Sequence, residues 1–126
     1  MTVMLIEDDP LSLESLSSAL TLNGFDTKGF SSPLEAVQEY DSIRTKVVIT
    51  DFHLPHINGI GVLKEIKKKN PYAMVIVISG DGKKEISSGA LAAGADAFFH
   101  KPIDIVKLIE RMASAAYEPG ETISSR

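Results

Sequence analysis

Four short apolar runs punctuate the chain, at residues 3–6, 47–50, 74–78 and 97–99. Each is rich in β-formers and apolar on consecutive positions, the pattern of a strand buried on both faces. Residues 25–30 are more polar and contain Gly29, so they read as an edge strand. Between these runs the period becomes helical. Leu13, Leu16 and Leu20 fall on one helical face, and so do Ile105, Leu108 or Ile109, and Met112. A helix over about residues 59–69 turns Leu63 and Ile66 inward, with Glu65 and Lys69 spaced for an i,i+4 pair on its wet side. Helix starts are marked by Asp9 before Pro10 and by Ser32-Pro33-Leu34-Glu35, a capping box with proline in the first turn. Gly24 after Asn23 is a stop signal. The weakest helix covers residues 83–93, because Ile86, Ala90 and Ala93 would bury little area. It is expected to be loosely held.

Strands and helices that alternate in this way predict an α/β fold, a doubly wound (βα)₅ unit with right-handed crossovers and a parallel five-stranded sheet covered on both faces. With 126 residues, 44% of them hydrophobic, the chain has material for one core rather than two. A net charge of -4 offers no global positive field to attract DNA or an anionic membrane, so neither is expected as a direct partner. The absence of cysteine excludes disulfides and thiolate metal sites. The start, Met1-Thr2-Val3-Met4-Leu5-Ile6 followed by three acids, lacks the features of a signal peptide. No stretch reaches the roughly 20 apolar residues of a membrane span. A cytoplasmic protein is the expectation.

In open parallel sheets, ligands sit outside the carboxyl ends of the strands. Glu7, Asp8 and Asp9 follow the first strand, Asp51 the third, Ser79 the fourth, and His100, Lys101 and Pro102 the fifth. Carboxylates crowded on one rim repel one another, and one lysine cannot balance them. A divalent cation can, and oxygen donors in an open, hydrated site favour Mg²⁺ or Mn²⁺ over zinc. Such an ion with Lys101 could offset an arriving phosphoryl group, while Asp51 supplies a carboxylate nucleophile. The plainer reading makes Asp9 a helix cap, Glu7 a solvated acid and Asp51 an ordinary strand end. That reading is preferred for Asp9. For Asp8, Asp51, Ser79 and Lys101, their joint placement on one rim favours the functional one.

From Val3 to about Ala116 the sequence resembles the receiver domains of two-component response regulators. The resemblance rests on Glu7-Asp8 after the first strand, Asp51 after Val47-Val48-Ile49-Thr50, then Leu54-Pro55 and Asn58-Gly59, Ser79-Gly80, Gly94-Ala95 and Lys101-Pro102. It implies a flavodoxin-like strand order, 2-1-3-4-5, with residues 1–116 as receiver domain and 117–126 as a polar tail or linker remnant. It also implies that Asp51 accepts a phosphoryl group from a histidine kinase or phosphotransfer protein. Asp8, Asp51 and the main-chain carbonyl of His53 would hold the metal, with Glu7 acting through water. Ser79 and Lys101 would each contact a phosphoryl oxygen, and Ser79 with Phe98 would form the switch. The surface changed would be that of the fourth helix, fifth strand and fifth helix, where a second copy or a target protein would bind. The protein would then be no general enzyme, but a signalling phosphoacceptor that catalyses only its own phosphorylation and dephosphorylation. The bond between Lys101 and Pro102 is usually cis in the family, a state that proline permits at a cost of about 0.5–1 kcal/mol.

His53 and Asp81 occupy positions where the family tunes phosphoryl lifetime, although both also suit ordinary exposed loops. Phe98 could equally fill the core, and His56 and His100 receive no role. A flavodoxin is disfavoured because Glu7-Asp8-Asp9 would repel a flavin phosphate. An aspartate-nucleophile phosphohydrolase usually carries a second acid where this chain has His53. A phosphorylation-independent interaction domain would normally have lost Asp51 or Lys101, and both are present, but retained residues do not prove phosphoryl flux; that alternative and a relay carrier without conformational output stay open.

Overall fold

The computed structural model describes residues 1–116; the polar tail or linker remnant expected at 117–126 lies outside them. Five strands, β1 (Thr2–Ile6), β2 (Asp26–Phe30), β3 (Val47–Asp51), β4 (Met74–Ser79) and β5 (Ala97–His100), alternate with five helices. These are α1 (Pro10–Leu22), α2 (Pro33–Ile43), α3 (Gly59–Lys69), α4 (Lys84–Ala92) and α5 (Ile105–Met112), the last followed by a 3₁₀ turn at Ala113–Ala116. All strand pairs are parallel, in the order β2-β1-β3-β4-β5, which is the flavodoxin-like order the resemblance implied.

Alternation along the strands sorts the apolar side chains into two cores. Met4, Ile6, Val48, Val75 and Val77 pack with Tyr40 of α2, Val62, Leu63 and Ile66 of α3 and Ala90 of α4. On the other face, Val3, Leu5, Val47, Ile49, Ile76 and Ile78 pack with Leu20 of α1 and with Leu108 and Met112 of α5. With helices on both sides, β3 and β4 are buried along their whole length, and β1 is buried beyond Thr2. The expectation that residues 97–99 form a strand buried on both faces is corrected. β5 is an edge strand with one neighbour, so Ala97, Phe98 and Phe99 are only half-buried.

Capping explains most helix ends. Asp9 accepts from Ser12 N–H, Ser32 from Glu35 N–H, Asn58 from Gly61 N–H, and Asp104 from the N–H groups of Val106 and Lys107. Gly24 and Gly94, at φ 90 and 110, close α1 and α4; Phe25 N–H then donates to Leu20 and Ala95 N–H to Ala90. α4 is the exception at its start, because Lys83 provides no side-chain cap and Ala90 is its one buried residue. The expected Glu65–Lys69 pair does not form. Lys68 takes Glu65 at 3.1 Å, while Lys69, at the helix end beside α2, reaches Asp41 at 2.6 Å. A tertiary partner displaced a local one.

Two polar ties close the end of the sheet opposite the carboxyl rim. Asp96 accepts from Val75 N–H at 2.8 Å and from Lys67 at 2.9 Å, and its carbonyl accepts from Arg111. Tyr40 is fully buried, donates its hydroxyl to the Thr45 carbonyl at 2.7 Å and accepts from Asn70 at 3.0 Å, linking α2 to the end of α3. Burial pushes its phenol pKa up, so it remains a donor. Tyr40→Phe leaves a buried carbonyl and an amide short of a partner. Urea unfolding is expected to show a loss of about 1–2 kcal/mol with an unchanged m-value.

Candidate functional site

The parallel register brings four strand ends together: Ile6 lies beside Thr50, Asp51 beside Ile78, and Ser79 beside His100. Asp51 is the last residue of β3, and its carboxylate is steadied by its neighbour's backbone. Phe52 N–H points at both the Ile78 carbonyl, 2.8 Å away, and Asp51 Oδ1, 2.9 Å away. The chain then runs outward and returns at Gly59, whose N–H donates to the Phe52 carbonyl at 2.8 Å. A Cβ at Gly59 would stand 2.7 Å from the Asp51 carbonyl oxygen and 2.9 Å from Phe52 Cα, both backbone atoms. Glycine is therefore a steric requirement for α3 to begin directly against the strand that carries Asp51.

Lys101 arrives from the far side. Its backbone N–H donates to the Ser79 carbonyl at 2.9 Å, and its peptide bond to Pro102 is cis. Its ammonium lies 2.5 Å from Glu7 Oε1 and 3.5 Å from Asp51 Oδ2. The reading of Glu7 as a solvated acid is corrected here. Glu7 is only 2% exposed, and its second oxygen accepts from Asp9 N–H at 3.2 Å. Burial, with the facing carboxylate of Asp51, raises the Glu7 pKa despite the opposing pull of Lys101. Burial disfavours the Lys101 charge, but hydrogen bonding to Glu7 and the charge of Asp51 outweigh it and raise its pKa. Lys101 is accordingly a persistent cation.

Asp8 is exposed and completes a group of three acids; carboxylate oxygens of Glu7, Asp8 and Asp51 lie within 4.8 Å of one another. Three carboxylates facing one ammonium leave an excess of negative charge, and hard oxygen donors suit a divalent cation such as Mg²⁺. Asp9 stands apart from this group as a helix cap, its carboxyl held below the usual range by the Ser12 hydroxyl and N–H.

Ser79 is fully buried at the end of β4, and its Oγ accepts from Asp81 N–H at 3.0 Å. Asp81 also accepts from Lys83 N–H at 2.9 Å and faces His53 Nε2 at 3.2 Å, interactions that lower its pKa. His53 and Asp81 are thus partners across the rim, not independent loop residues. Phe98 is half-buried against the α2, α3 and α4 core, edge-on to the ring of His100 at 5.0 Å. His56 is exposed in the loop after β3 with φ 71 and touches none of the acids in the group. Sequence reasoning missed a cleft of about 490 Å³ between α1 and the segment after β5, lined by Leu11, Leu16, Lys101, Ile103 and Ile105. The exposed Leu11 was its one local signal.

A family model described as the response regulator receiver domain matches residues 3–113. The chain belongs to this family. The receiver domain is 31% identical over 111 residues to the chemotaxis protein CheY of Thermotoga maritima, covering 87% of this chain and 92% of that one. It is 34% identical over 105 residues to a cyclic di-GMP phosphodiesterase of the same organism, covering 83% of this chain but 28% of that protein. It spans about half the length of the curated transcriptional regulators it also matches. Its backbone matches a chain of the CheX-CheY-BeF3-Mg²⁺ complex of Borrelia burgdorferi with a TM-score of 0.82 and 28% identity, over 93% of this chain and 90% of that one. Receiver domains are signalling phosphoacceptors that interact with histidine kinases and phosphotransfer proteins, and Mg²⁺ binding is typical of them. The Glu7, Asp8 and Asp51 group fits the receiver Mg²⁺ site. No helix among the described residues is long and apolar enough to cross a membrane.

Removing the ammonium tests this electrostatic account. In Lys101→Met the largest influence that lowers the Glu7 pKa is gone, so the native state, which already holds the Glu7 proton more tightly than the unfolded chain does, holds it more tightly still. Stability then falls as pH rises through the carboxylate range. The variant's deficit relative to the parent should be greatest near pH 7, about 2 kcal/mol, and should shrink toward pH 4. Paired urea melts across that range measure it.

Proposed function

We propose that Asp51 is the phosphoacceptor of a signalling switch, taking its phosphoryl group from the phosphohistidine of a histidine kinase or phosphotransfer protein. The supporting observation is the setting of Asp51: a nearly buried carboxylate at a strand end, with one ammonium 3.5 Å away and two further acids beside it. A carboxylate oxygen of Asp51 attacks phosphorus, and the bond to the donor nitrogen breaks. Asp8, Asp51 and the main-chain carbonyl of His53 would hold Mg²⁺ or Mn²⁺, with Glu7 acting through water. When bound, the ion supplies positive charge that offsets the incoming phosphoryl oxygens. Lys101 sits where it can exchange a carboxylate for a phosphoryl oxygen, and the Ser79 hydroxyl proton is available to a second.

The acyl phosphate is lost when water attacks it, and His53 and Asp81 flank that approach. Output runs from Ser79 to Phe98 and to the face of α4, β5 and α5, where a second copy or a target protein docks. α4 suits this role because Ala90 is its one buried residue and no side chain caps its start. A difference of a few kcal/mol between states is enough to shift its population.

A small acyl phosphate should label the protein only when Mg²⁺ is present, as a base-labile adduct in intact mass. Labelling in excess chelator, or undiminished labelling of Asp51→Asn, contradicts the proposal. Adding beryllofluoride with Mg²⁺ should shift amide resonances of residues 84–92 and the ring signals of Phe98. Shifts restricted to the loops around Asp8, Asp51 and Lys101 would leave a phosphate carrier without conformational output.

A further inference from the structure

Two loops frame the mouth of the site, one leaving β3 and the other leaving β4. His53 on the first and Asp81 on the second meet at 3.2 Å, joining residues 28 apart in sequence. Asp81 is held from three directions. Its Oδ2 faces His53, its Oδ1 accepts from Lys83 N–H at 2.9 Å at the start of α4, and its own N–H donates to Ser79 Oγ at 3.0 Å. A displacement of Ser79 is therefore a displacement at Asp81, and through Asp81 it is felt by the other loop.

We propose that His53, Asp81 and Ser79 form a latch that favours the resting conformation and opens when Asp51 is phosphorylated. This rests on the phosphoacceptor role of Asp51 argued above. A phosphoryl oxygen on Asp51 is a charged acceptor for the Ser79 proton, stronger than any neutral partner. Turning toward it moves Ser79 Oγ, and Asp81, whose N–H donates to that oxygen, moves with it and parts from His53 on the other loop. The contact with His53 thus belongs to the resting state and opposes the active one, and its energy enters the equilibrium between the two. Asp81 acts as a positioning residue for Ser79, not as a group that touches phosphorus. Since His53 is 59% exposed, water screens the pair and its effect is small.

Beryllofluoride affinity in saturating Mg²⁺ measures the bias, read by titration for the parent, His53→Ala, Asp81→Asn and the double variant. The asparagine keeps an acceptor for Lys83 N–H while losing the charge that faces His53. Each single variant should bind the mimic about two- to fivefold more tightly, the range expected for a screened pair. The double variant should gain little beyond either single one, because both remove the same contact. Unchanged or weakened affinity in the single variants, even with an altered phosphoryl lifetime, overturns the latch and leaves the pair as a control on water access alone. Additive gains overturn it too, since they assign the residues separate effects. If the parent itself fails to bind beryllofluoride with Mg²⁺, the phosphoacceptor reading falls, and the latch with it.

Discussion

Burial of the central strands on both faces is the constraint from which the site follows. β3 and β4 are buried throughout, and β1 is buried beyond its first residue, so no side chain on their flanks can meet water. Polar chemistry is tolerated only where these strands stop. Parallel pairing aligns their stops, and one register places Glu7, Asp51 and Ser79 at neighbouring ends. The resulting group of acids is a consequence of topology as much as of composition.

That arrangement leaves an electrostatic problem which Lys101 answers in part. Glu7 has almost no access to water, so its charge must be met by protein, and Lys101 does so at 2.5 Å. The same ammonium reaches Asp51 only at 3.5 Å, a weaker hold on the outer carboxylate. Glu7 thereby positions Lys101 beneath the mouth, while Asp51 and the exposed Asp8 keep unspent acceptor capacity. A buried acid and a persistent cation are fixed beneath the mouth, and the Asp51 carboxylate stands at the strand end above them.

Much of this was legible in the chain because local rules and the fold agree. The bounds of α3, the caps at Asp9 and Ser32, and the glycine stop after α1 follow from short-range chemistry that tertiary structure did not override. The failures came where a distant partner decided the outcome. Lys69 chose Asp41 on another helix over Glu65 on its own. Ala97, Phe98 and Phe99 have the composition of a central strand, but β5 lies at the sheet edge, and composition does not encode strand order. The burial of Glu7 was hidden because its ion pair joins residues 94 positions apart. His53 and Asp81 were visible as types at suggestive positions, but their contact was not, since it depends on how two loops lean together.

Stiffness is distributed unevenly, and the distribution bears on function. Around Asp51 the backbone is clamped by the close approach of Gly59 and by Phe52 N–H, which donates to both the Ile78 carbonyl and Asp51 Oδ1. α4 has little comparable hold: one buried alanine, no side-chain cap, and Gly89 within its length. No steric demand explains that glycine, because a Cβ there would meet only Ile60 Cδ1 at 3.8 Å, an ordinary contact. Glycine inside a helix costs about 1 kcal/mol relative to alanine, and no close packing here returns it. The helix is therefore weaker than its surroundings require, and it begins three residues after Asp81, which is tied to Ser79. A clamped strand end beside a weakly held helix is the combination in which a small change at that end can be expressed at a surface.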